Sequence, residues 1–218
     1  MPLLATAATA AIGAAIGNFF QRRQFTFRER ETRLAELRKQ KETFVTAIMG
    51  RVSERVFYLI GVSRIITDST LLPDEVTSRL SSYEESIKNT LLNYSTDLAL
   101  LTQFFDQQTS DLYIEIMQGP NGFVTLDRKW REIYTNYKQL MDALPKIQQL
   151  LDSGKISTEK AKELKAAQEE YRALLHEKAK ELITEIAHLG NEPIGEPFFS
   201  TISSKEDFMV KDDSKTIF

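Results

Sequence analysis

At 218 residues the chain has room for one domain of ordinary size with its own apolar core. It has no cysteine and only two histidines, which excludes disulfides, thiolate metal sites and Cys nucleophiles and leaves little for a histidine-based centre. A net charge of −3 at pH 7 argues against a wholesale nucleic-acid binder.

The first predicted element is the uncharged run Leu3 to Phe20, made of Ala, Gly, Thr, Leu, Ile, Asn and Phe. As a helix it is about 27 Å long, close to the roughly 30 Å hydrocarbon core of a bilayer, and it is read as a single transmembrane helix over 1–20. Between Gln21 and Lys41 follow Arg22, Arg23, Arg28, Arg30, Arg33, Arg38, Lys39 and Lys41 against Glu29, Glu31 and Glu36, while only Met1 and Pro2 precede the run. That asymmetry places the bulk of the chain in the cytoplasm, as for a bacterial inner-membrane protein, with Arg22, Arg23, Arg28 and Arg30 nearest the membrane. A secretory or twin-arginine signal would carry its basic residues before the apolar run. Insertion is weak, because Leu3, Leu4, Ile12, Ile16, Phe19 and Phe20 contribute only about −0.3 to −0.6 kcal/mol each. Gly13 and Gly17 form GxxxG, extended at the same step by Ala5 and Thr9, a small-residue stripe that lets two helix backbones approach closely. Self-association in the membrane is expected from it. A variant of this reading turns Thr6, Thr9 and Asn18 toward water, lining a pore in a ring of copies.

The rest reads as all-α, a cytoplasmic antiparallel four-helix bundle over 21–190 with helices at about 21–68, 73–118, 127–151 and 157–189. The first continues from the membrane helix, with Val45, Ile48, Val52, Val56, Leu59, Ile60 and Ile66 on one face. Pro73-Asp74-Glu75 opens the second, whose stripe runs through Val76, Leu80, Tyr83, Ile87, Leu91, Tyr94, Leu98, Leu101, Phe105, Leu112 and Ile116, slack near Gln108. These two are expected to lie antiparallel over about 65 to 70 Å, so that the second returns toward the bilayer. Gly119-Pro120-Asn121-Gly122 ends it, leaving Phe123, Val124 and Leu126 as interfacial contacts or a cover for the core. The third helix, from about Asp127 to Leu151, has Trp130, Ile133, Tyr134, Tyr137, Leu140, Met141, Leu144, Ile147 and Leu151 on its apolar face, with Pro145 expected to bend or break it. Asp152-Ser153-Gly154 stops it, and Ser157-Thr158-Glu159 starts the fourth with a cap; this helix carries Ala161, Leu164, Ala167, Tyr171, Leu174, Leu175, Leu182, Ile186 and Leu189. Residues 191–218 read as a loosely ordered acidic tail.

Chemistry has little support in these residues. Glu185-Ile-Ala-His188 has the Glu-x-x-His spacing of di-iron bundles, but no second copy exists, and His188 serves as a partner of the helix dipole. Arg172-Ala-Leu-Leu-His176 resembles the Arg-x4-6-His signature of HEPN ribonucleases, with three residues between the pair instead of four to six. The resemblance covers five positions and implies a membrane-tethered ribonuclease in which a dimer brings two Arg172/His176 pairs onto RNA. Neither GxGxxG nor GxxxxGK[ST] occurs. No cofactor, metal or catalytic residue is expected from the residues themselves. The partners expected are the lipid bilayer, further copies of the chain and an unidentified protein, with nucleic acid disfavoured. The function expected is that of an oligomeric membrane effector, pore-like element or scaffold, against the ribonuclease and a soluble coiled-coil structural protein as alternatives.

Overall fold

The structure is a computed structural model that describes the backbone of residues 2–191 and of Ile194, and the side chains of residues 23–191 and Ile194. Among the described residues there is no strand; the elements are α1 (Pro2–Thr67), α2 (Pro73–Phe104), α3 (Gln107–Gln118), α4 (Phe123–Asp152) and α5 (Thr158–Asn191). The chain is therefore an all-α helical bundle. It divides into two compact units, Met1–Ala47 and Ile48–Phe218, and α1 contributes to both.

The first unit is helix alone. The expected membrane segment falls within α1, but the side chains of residues 1–22 lie outside the described residues, as does the tail from residue 195. Among the described residues no helix is long and apolar enough to cross a membrane. From Arg23 to Ala47 nearly every side chain is exposed, and only Leu34, Lys41, Phe44 and Val45 are half-buried.

In the second unit, Ile48, Val52, Leu59, Val62 and Ile66 of α1 are buried at helical spacing. α2 runs back along this part of α1: Arg79 donates to the Gly61 carbonyl at 3.2 Å, Arg55 to Ser86 Oγ at 3.4 Å, and Arg51 pairs with Asp97. Its start uses Pro73 in the first turn, and Glu75 Oε2 accepts the Leu72 N–H at 3.2 Å, one half of a capping box. α4 and α5 form a second antiparallel hairpin, tied by Lys129 to Glu185 at 2.6 Å and Lys165 to Gln148 at 2.9 Å. Their turn is a Schellman ending. Gly154 at φ 68° lets its own N–H reach the Leu151 carbonyl and that of Lys155 the Leu150 carbonyl. Ser157 Oγ then accepts the Lys160 N–H at 3.2 Å, the cap expected from the sequence.

Three expectations are corrected. The helix over 73–118 is two helices, because the chain leaves helical geometry at Phe105 and Asp106, whose carboxylate caps α3 by accepting the Thr109 N–H at 2.9 Å and hydroxyl at 2.7 Å. α3 then folds back on α2, with Thr102 and Ser110 hydroxyls 3.1 Å apart, so the described residues form five helices and no single helix over 73–118 exists to pair with α1 over 65 to 70 Å. Second, α4 begins at Phe123 and not near Asp127, which buries Phe123 and Leu126 and leaves Val124 51% exposed. The turn before it is tight: a Cβ on Gly122 would lie 2.7 Å from the carbonyl oxygens of Glu115 and Ile116, so only glycine fits. Third, of the two effects expected of Pro145 the break does not occur, and α4 continues through it. Pro145 and Met141 both lie on its exposed side, where water can take the carbonyl that proline leaves free.

Candidate functional site

The buried face of α2 matches the apolar stripe only in part. Tyr83 and Leu101 of the stripe are buried, whereas Leu91 is 62% exposed, and Ser86, Thr90 and Asp97, each one position before a stripe residue, are buried with them. Such polar side chains must find partners, because an unpaired polar group in a core costs about 1–3 kcal/mol. Thr90 donates to the Ser86 carbonyl of its own helix at 2.7 Å, while α1 supplies partners for Ser86 and Asp97. Arg51 and Arg55, one turn apart on its buried face, each reach a carboxylate.

The result is two Arg–Asp–Tyr clusters of the same design. In one, Asp97 of α2 takes Arg51 on Oδ1 and the Tyr113 hydroxyl of α3 on Oδ2 at 3.0 Å. In the other, Asp127 of α4 takes Arg55 on Oδ2 and the Tyr83 hydroxyl of α2 on Oδ1 at 2.7 Å. Arg55 is only 3% exposed, and its guanidinium lies 5.3 Å from the Tyr83 ring centroid and 5.8 Å from that of Phe123. Aromatic rings enclose both clusters: Trp130 meets Tyr83 edge-on at 4.7 Å and stacks on Tyr134 at 5.1 Å, and Tyr94 stacks on Tyr113 at 5.8 Å. Arg51 Nε, Arg55 Nε and Trp130 Nε1 are buried without a partner among the described atoms. Together the clusters join one segment of α1 to α2, α3 and α4.

Burial sets the electrostatics. It pushes the Asp127 and Asp97 carboxyls above the usual carboxylate range, against the pull of Arg55 and Arg51. The same desolvation lowers Arg55 and raises the Tyr83 and Tyr113 hydroxyls, so neither tyrosine ionises at working pH. A carboxyl whose folded pKa is raised contributes stability that is complete at low pH and is lost as pH rises through the folded value. Accordingly, the stability advantage of the native chain over Asp97→Asn/Asp127→Asn should shrink as pH climbs from the ordinary aspartate value toward neutrality. Urea unfolding across that window checks this; a difference that grows with pH would contradict it.

The residues singled out from the sequence lie elsewhere. Ala5, Thr9, Gly13, Gly17 and Arg22 fall where side chains are not described, and Arg23, Arg28 and Arg30 are exposed on α1. Arg172 lies 3.9 Å from Glu169, and the half-buried His176 has an Nε2 with no partner. No hydrogen bond or ion pair joins Arg172 to His176. Glu185 pairs with Lys129, and no group of three or more side chains that could hold a metal ion occurs among the described residues. The Arg51 and Arg55 clusters were missed, although one signal was visible: both arginines interrupt an otherwise apolar face at core spacing, between Ile48, Val52 and Leu59. No family model, curated protein or solved structure matches this chain.

Proposed function

We propose that the chain is a single-pass membrane protein, its bulk on the cytoplasmic side, that self-associates through the Ala5, Thr9, Gly13 and Gly17 stripe and acts as an oligomeric membrane effector or scaffold. One observation carries the reading: eighteen uncharged residues, Leu3 to Phe20, run directly into a segment with eight basic and three acidic side chains. The mechanism is physical. Clustering of the N-terminal helices bears on α1, and α1 is the helix whose Arg51 and Arg55 hold α2, α3 and α4. A pore lined by Thr6, Thr9 and Asn18 is one form such an assembly can take.

Alkaline carbonate extraction of membranes from cells expressing the full chain tests the anchoring. The protein is expected to stay in the pellet and to enter the supernatant once detergent is added. Complete release by carbonate alone would refute the membrane reading.

A further inference from the structure

The basic segment of the first unit is a helix, and the arginines described in it are exposed. Arg23, Arg28, Arg30, Arg33, Arg38 and Lys39 are all exposed, and none takes part in an ion pair among the described residues. Phe25 and Phe27 stand among them, 68% and 62% exposed. Basic side chains in excess of the neighbouring acids, beside exposed rings, call for an anionic partner with an apolar neighbourhood.

How these side chains are arranged round the helix identifies the partner. At about 100° per residue, with Arg23 at zero, Arg30 lies at about 340°, Arg33 at about 280° and Arg28 at about 140°. Phe25 and Phe27 fall on nearly opposite sides, at about 200° and 40°. A helix lying along a membrane segregates its apolar and basic faces. Here both kinds encircle the axis, which suits a helix standing across a layer of headgroups and contacting it on all sides. Glu29 and Glu31 offset part of the charge.

Distance along the axis then sorts the arginines. Counted from Phe20 at 1.5 Å per residue, Arg23, Arg28 and Arg30 stand about 5, 12 and 15 Å out. The headgroup layer is about 5–7 Å thick, and charge is screened over about 8 Å beyond it. Arg38 and Lys39, about 27 Å out, lie past both limits.

We infer that Arg23, Arg28 and Arg30, ringed with Phe25 and Phe27, form a collar that binds the headgroups of anionic lipid where α1 leaves the bilayer. The inference rests on the membrane reading above. Its function is to favour anionic membrane as the site of assembly, adding affinity to an apolar segment that inserts only weakly.

The test is the partition of the full chain into vesicles of phosphatidylcholine alone and of phosphatidylcholine with phosphatidylserine, at low and high salt. Phosphatidylserine should raise the native chain's affinity at low salt, and Arg23→Gln/Arg28→Gln/Arg30→Gln should lose most of that gain, on the order of a hundredfold for three charges. Arg38→Gln/Lys39→Gln should keep it within about threefold. Equal affinity for both vesicles, or an equal loss in the two variants, would overturn the collar. So would RNA that displaces the chain from anionic vesicles and loses its own binding in the triple variant. Retention on phosphatidylcholine vesicles after carbonate is scored separately: its loss refutes the spanning reading, and its persistence with no phosphatidylserine effect refutes the collar alone. Circular dichroism of each variant, expected unchanged for exposed Arg→Gln substitutions outside the bundle, guards against misfolding.

Discussion

Asp127→Ala is expected to destabilise the bundle by about 3–5 kcal/mol, because it strands a guanidinium that is only 3% exposed. Arg55 cannot shed its charge to escape the loss; its proton stays on across the accessible pH range. The reverse change, Arg55→Leu, should cost less, since the Asp127 carboxyl is already pushed toward its neutral form by burial and can take up a proton. Combining the two as Arg55→Leu/Asp127→Ala removes both ions and should recover much of the stability, leaving the Tyr83 hydroxyl as the remaining unsatisfied group. Urea unfolding of the four proteins forms a double-mutant cycle, and its coupling term measures the pair directly. A double variant as unstable as Asp127→Ala would show that the cluster contributes by some means other than the pairing of its charges.

Phe123→Ala is the second large effect, about 3–5 kcal/mol for a phenylalanine 1% exposed. Phe123 opens α4, sits against Arg55 and follows the turn in which Gly122 packs on two backbone carbonyls. Losing the ring therefore opens a cavity and removes one aromatic face from a buried cation. Val124→Ala, at the adjacent but half-exposed position, should change stability by no more than about 0.5 kcal/mol. Thermal unfolding of the pair separates a residue that builds the core from one that covers its edge. Comparable losses at both positions would mean that the loop is packed in a way the burial pattern does not explain.

The ends of the helices were readable because each has a local chemical cause. Pro73, Ser157 and Gly154 act on their own backbone neighbours, and α2, α5 and the α4 terminus fall where those residues direct. The break at Asp106 also has a local cause, but the apolar stripe running past it from Leu101 to Leu112 hid the cap behind an apparently continuous helix. The α2 core face was readable only in part, for a tertiary reason. Periodicity finds Tyr83 and Leu101, but this helix also turns Ser86 and Asp97 inward, where arginines from another helix meet them. Nothing within α2 encodes that exchange. The pairing in the Arg–Asp–Tyr clusters was illegible on the same grounds, although the two arginines on an apolar face were visible: Asp97 with Arg51, and Asp127 with Arg55, stand far apart in the chain, and only folding brings them together.

The membrane reading depends on the helix at the N-terminus holding copies of the chain together inside lipid. Chemical cross-linking of the full chain in native membranes, compared with Gly13→Leu/Gly17→Leu, measures that most directly. The account predicts oligomers for the native chain and a monomer for the variant, with both still retained after carbonate, because leucine strengthens insertion while it blocks close approach of the backbones. A variant that cross-links as fully as the native chain, or a native chain that is monomeric in its own membrane, would contradict it.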